Sequence, residues 1–216
     1  MAEITTLFWD IGGVILTNAW GRAERLRATD HFKLDREDFE RRHQQVAAAF
    51  EIRELTLHEY LAETVFHQPR PFSPEEFRRF MRAQSQVCRR ALRIVEELSE
   101  TRRYLMATIN NESLELNLYR IRQFELHRYF SAFFSSCFLN VRKPGRELFC
   151  RALELTGRQP SECLMIDDRP ENLEAPRAMG LRTIEYHSPA QLRQELEGHG
   201  IACAASATNY TPAQGA

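Results

Sequence analysis

An aspartate directly follows a short apolar run twice in this chain, at Leu7-Phe8-Trp9-Asp10 and at Leu164-Met165-Ile166-Asp167-Asp168. Short runs without polar alternation read as strands buried on both faces, as in a parallel sheet. Each carboxylate then stands at the C-terminal end of its strand, where open α/β sheets bind ligands. If the two strands are neighbours, the carboxylates meet. Close carboxylates repel unless a cation lies between them, and hard oxygens suit Mg²⁺. The first expectation is therefore a Mg²⁺ site at the edge of a parallel sheet.

The remaining pattern fits such a sheet. From about residue 20 to 90 only helical signals occur. Asp35 reads as an N-cap, and Thr56-Leu57-His58-Glu59 and Ser73-Pro74-Glu75-Glu76 read as capping boxes. Phe39, His43, Val46 and Phe50 follow helical spacing. Phe39, Phe77 and Phe80 read as this segment's own core, and the arginine-rich faces as solvated. After residue 92 helices and strands alternate, with strands near 104–109, 132–136, 163–166 and 181–186. That alternation predicts an α/β fold, a Rossmann-like doubly wound parallel sheet, with an inserted α-helical cap subdomain. The expected limits are 1–17 and 93–203 for the core, 18–92 for the insertion and 204–216 for a loose polar tail.

Composition narrows the function. The formal net charge of −1 points to neither nucleic acid nor membrane. No apolar stretch is long enough to span a bilayer, and Glu3 and Asp10 interrupt any leader. The five cysteines, Cys88, Cys137, Cys150, Cys163 and Cys203, lack metal-site spacing and read as reduced thiols. These features predict a cytoplasmic protein, monomer or homodimer, acting on a small molecule. Lys33 and Lys143 are the chain's lysines, so Lys143, next to Pro144 and before a helix, draws notice.

Four elements stand in order: Asp10; Thr108 in Ala107-Thr108-Ile109-Asn110-Asn111; Lys143-Pro144; and Asp167-Asp168 with Asn172. This order resembles the haloacid dehalogenase (HAD) superfamily, and the insertion resembles its C1-type cap. The resemblance implies a Mg²⁺-dependent phosphatase acting on a small phosphorylated metabolite. It implies Asp10 as nucleophile and metal ligand, and Asp168 as the other main protein ligand, with Asp167 as a further ligand or orienting group. Thr108, Asn110, Asn111 and Lys143 would hold the phosphoryl group, and Asn172 would orient the acidic pair. Glu51-Ile52-Arg53-Glu54 is a candidate substrate-facing loop.

One position departs from the pattern. The superfamily's first motif is Asp-x-Asp, and here the second acid is Gly12. Its backbone carbonyl can still bind Mg²⁺. The side chain that would protonate the leaving group is missing, a loss of roughly 10²–10⁴-fold. Substrates with good leaving groups suffer least, and Gly12→Asp is expected to help simple alkyl phosphates. Two other readings are a phosphate-binding regulatory protein without turnover and a 2-haloacid dehalogenase-type hydrolase.

Overall fold

The structure, a computed structural model, describes residues 2–202. The expected tail and Cys203 lie outside the described residues. Five strands, β1 (Thr6–Trp9), β2 (Leu105–Asn110), β3 (Ala132–Ser135), β4 (Cys163–Asp167) and β5 (Arg182–Glu185), form one parallel sheet in the order β3-β2-β1-β4-β5. The chain winds outward from β1 to β3 and then returns to the far side of β1 as β4. This reversal opens a crevice at the carboxyl ends of β1 and β4. The doubly wound fold expected from the sequence is the one found.

Between β1 and the rest of the sheet lie α1 (Arg22–Phe32), α2 (Arg36–Glu51), α3 (Leu57–Thr64) and α4 (Pro74–Ala83). The caps form as their residue types dictate. Asp35 accepts from Asp38 N–H, and Thr56 with Glu59 and Ser73 with Glu76 close reciprocal capping boxes. Trp20, Phe39, Phe50, Tyr60, Phe77 and Met81 pack into a separate core, joined by Leu116 from the sheet domain. Helix α1 gave no periodic signal because Glu24, Ala28 and Thr29 are its buried residues.

The sheet is covered on both faces. Helix α5 (Arg89–Thr101) and α10 (Pro189–Gly198) pack on the face carrying Leu7, Trp9, Met106, Leu164 and Ile166. Helix α8 (Arg146–Thr156) and α9 (Glu171–Ala178) pack on the face carrying Phe8, Ala107, Ile109 and Met165. Helix α6 (Leu114–Gln123) follows β2, and the short α7 (Ser136–Leu139) follows β3. Helix α5 begins before residue 92, and Ala91 already packs against the sheet. No described helix is long and apolar enough to cross a membrane.

Candidate active site

Trp9 pairs with Thr108 on one side and Ile166 on the other. Asp10 continues this pairing, its N–H donating to Ile166 O at 2.9 Å. The next residues of the three strands, Asp10, Ile109 and Asp167, therefore share a level and a face. Lys143 reaches this point from the loop before α8. Its Nζ lies 3.0 Å from Asp10 Oδ1 and 2.5 Å from Asp167 Oδ2. Burial raises the Asp10 carboxyl to about 7, with Lys143 opposing the rise and Asp167 adding to it. For Lys143 burial works against the charge, yet Asp10 and Asp167 outweigh it and lift the ammonium above its ordinary value.

Asp167 is committed on both oxygens. Oδ1 accepts from Asn172 Nδ2 and from Arg169 N–H, each at 2.9 Å, while Oδ2 holds Lys143. Asn172 thus orients Asp167 directly. Asp168 differs: its Oδ1 is buried with no hydrogen-bond partner. Burial, helped by Asp167, raises its pKa. One oxygen each from Asp10, Asp167 and Asp168 lies within 4.8 Å of the others. A hard oxygen set with one orphaned buried carboxylate atom fits Mg²⁺, which would satisfy that atom. The backbone at Gly13 has φ +80, and a Cβ there would collide with the Asp168 carboxylate. A glycine is therefore needed for Asp168 to reach the site.

The expected phosphate donors are placed differently. Thr108, at the level of Trp9 and Ile166, belongs to the opposite face of the sheet, buried with its hydroxyl unpartnered. This corrects its expected role, because alternation puts Ile109 beside Asp10 instead. Asn110 donates to Asn117 Oδ1 and accepts from Ser135 Oγ, so its amide is committed inside the domain. Asn111 clasps the main chain of Lys143 at both N–H and C=O. Beside Lys143, main-chain donors are free at the strand ends. The N–H groups of Gly12 and Asn111 make no backbone hydrogen bond among the described residues, and both residues line the cavity.

A family model for haloacid dehalogenase-like hydrolases matches residues 4–180. The chain belongs to this family. Flavin mononucleotide hydrolase 1 of Arabidopsis thaliana is 31% identical over 77 residues, which cover 36% of this chain and 31% of that protein. The match thus spans about a third of the relative's length. The HAD family enzyme BT-2542 of Bacteroides thetaiotaomicron superposes with a TM-score of 0.74 at 19% identity, over 86% of this chain and 95% of that one. An L-2-haloacid dehalogenase superposes with a TM-score of 0.60 at 15% identity, over 84% and 83%. At such identities these two likenesses concern the fold.

In this HAD-like hydrolase the surroundings of Gly12 are already filled. A Cβ on Gly12 would lie 2.9 Å from Asn18 Oδ1 and 3.8 Å from Arg120 Nη1. Arg120 is buried, bonded to Glu112 Oε2 at 2.8 Å and to Thr17 O at 2.8 Å. Burial raises the Glu112 carboxyl, with Arg120 opposing. Sequence reading missed this pair, since nothing in the spacing of Glu112 and Arg120 marks it.

The inserted helices lie over the site. Ser136 Oγ donates to Glu51 O and Asn140 Nδ2 to Ile52 O, each at 2.7 Å, and Leu57 N–H donates to Glu115 Oε1 at 3.0 Å. Beneath them lies a cavity of about 380 Å³, lined from the core by Asp10, Gly12, Lys143 and Glu112 and from the cap by Trp20, His43, Ala47 and Phe50. Of the expected loop 51–54, Glu51 lines this cavity and pairs with Arg142 at 2.9 Å. Arg53 is exposed and outside the lining.

Proposed function

We propose that this HAD-like hydrolase is a Mg²⁺-dependent phosphatase that acts on a small phosphorylated metabolite through an aspartyl-phosphate on Asp10. The observation that carries the reading is the carboxylate trio, two of its members buried, with Lys143 Nζ 3.0 Å from Asp10. The Bacteroides thetaiotaomicron enzyme was crystallised with magnesium and inorganic phosphate, and the Arabidopsis thaliana relative is a flavin mononucleotide hydrolase, which support it. Asp10 and Asp168, with the Gly12 carbonyl, would hold Mg²⁺, whose charge neutralises phosphoryl oxygens.

Each residue then has a physical task. An Asp10 carboxylate oxygen attacks phosphorus, and the ester P–O bond breaks with its electron pair going to the leaving oxygen. Lys143 offsets the negative charge of Asp10 and of the phosphoryl group. The Gly12 and Asn111 N–H groups donate to phosphoryl oxygens where the Thr108 hydroxyl was expected to. Water then attacks phosphorus, the P–O bond to Asp10 breaks, and phosphate leaves. No carboxyl at Gly12 protonates the leaving oxygen, so esters of acidic alcohols, phenols and acyl phosphates are favoured.

The test is Mg²⁺-dependent phosphate release across aryl, acyl, sugar 1- and sugar 6-phosphates, with Asp10→Asn as control. Release that needs both Mg²⁺ and Asp10 and favours good leaving groups is expected. Metal-independent halide release from 2-haloacids, without phosphate release, would overturn it.

A further inference from the structure

Tyr60 lies wholly inside the cap core, stacked on Phe50 with ring centroids 4.2 Å apart. Its hydroxyl meets two nitrogens. Trp20 Nε1, which can only donate, lies 2.7 Å away. His43 Nδ1 lies 2.9 Å away. The phenol has one proton to give; the Thr64 hydroxyl also lies beside it, but already gives its own proton to the Tyr60 main-chain carbonyl at 2.7 Å. Leaving that proton unpaired in a dry core is costly, so it goes to His43 Nδ1. A ring nitrogen that accepts carries no proton, so the imidazole is neutral with its hydrogen on Nε2.

The rest of the surroundings agree. Burial, reinforced by the Arg25 cation and opposed by Glu40, holds the imidazole at about 4. The Nε2 edge faces away from Tyr60, and His43 lines the same cavity as Ala47, Phe50 and Asp10. Between Trp20, Ala47 and Phe50, His43 thus presents an N–H whose place on the ring is fixed, while Arg22 and Arg25 also line the cavity.

We propose that His43 is a specificity-determining residue whose Nε2–H donates to a hydroxyl or carbonyl oxygen on the leaving-group part of the substrate. This deepens the phosphatase reading and rests on it. The substrate class is a phosphate ester whose carbon skeleton packs on Trp20 and Phe50 and carries an oxygen acceptor. An amine at that point would meet a donor where it needs an acceptor, and would be rejected.

Two measurements on the full chain test this separately. Long-range ¹⁵N NMR reads the ring directly, with His43 assigned by its loss in His43→Gln. Nδ1 unprotonated and Nε2 protonated at neutral pH is expected; a proton on Nδ1 or on both nitrogens overturns the proposal. Steady-state kinetics then compare phenyl phosphate with its meta-hydroxymethyl derivative, matched in leaving-group acidity. In His43→Phe the kcat/KM ratio of hydroxylated to plain ester falls about tenfold, mainly through KM. His43→Gln, which keeps a donor, recovers part of the ratio, and Tyr60→Phe lowers it while loosening the tautomer. Equal losses on both esters, tracking melting temperature, would make His43 merely structural. No turnover of any ester by wild type with Mg²⁺ would remove the phosphatase reading and the substrate half of this one, while the NMR still decides where the proton sits.

Discussion

Asn111 grips Lys143 by its main chain, with Oδ1 accepting its N–H and Nδ2 donating to its C=O, both at 2.9 Å. The cation's position between Asp10 and Asp167 thus depends on a side chain from the end of β2. Asn111→Ala removes two hydrogen bonds worth about 0.5–1.5 kcal/mol each and frees the lysine backbone. We expect kcat on an aryl phosphate to fall about 10²-fold with a smaller change in KM. Kinetics with a melting curve check this; unchanged kcat in a folded variant would show that Lys143 needs no such grip.

The orphaned Asp168 Oδ1 predicts a metal-dependent stability. At a hundredfold excess over Kd, Mg²⁺ adds about 2.7 kcal/mol, a rise in Tm on the order of 5–10 °C for a chain of this size. Differential scanning fluorimetry should show that rise in wild type and its loss in Asp168→Asn. Gly13→Ala should lose it as well, because the new methyl displaces the carboxylate.

In EDTA the sign of the Asp10 shift sets the pH dependence. Its folded pKa of about 7 stands above the ordinary carboxyl value of 3.8, burial being the first cause. Between those values the folded state holds more protons than the unfolded one, so stability falls as pH rises through that window. Asp10→Asn removes this liability. The variant should melt higher than wild type at pH 8 and show no such advantage near pH 3.5. A variant less stable than wild type at pH 8 without metal would contradict the burial argument.

Gly12→Asp should not behave as the motif alone suggests. The added Cβ must push Asn18 aside, and the carboxylate arrives beside the Arg120 cation. A cation nearby keeps it ionised, which suits a base for water more than an acid for the leaving group. Gains of up to about 10²-fold are therefore expected for aryl and acyl phosphates, where hydrolysis of the phospho-enzyme is slow. Alkyl phosphates should gain less. A larger gain on alkyl phosphates in steady-state assays would restore the acid role.

The parallel sheet, the run of helices after β1 and the meeting of the acidic trio were legible because each is announced locally, by apolar runs, capping boxes and strand-end aspartates. Thr108 shows where such signals stop. The run 104–109 is buried on both faces, so alternation does not say which residues face the site, and a slip of one residue exchanges Thr108 for Ile109. His43 announced itself only as one position on a helical face. Its chemistry comes from Trp20 and Tyr60, which reach it from other parts of the cap. Glu112 and Arg120 escaped notice for the same reason: a buried ion pair is a property of packing, not of spacing.

Three of the four polar ties described above between the inserted helices and the core use the insertion's main chain, at Glu51 O, Ile52 O and the Leu57 amide, and the fourth pairs the Glu51 and Arg142 side chains. The core side chains Ser136, Asn140 and Glu115 therefore recognise the cap's backbone and not its residue types. Most of the cavity wall is thus free to be rewritten by mutation while these backbone fastenings stay intact. A lineage carrying this scaffold can change what lines its cavity while the helices above it stay seated on the core.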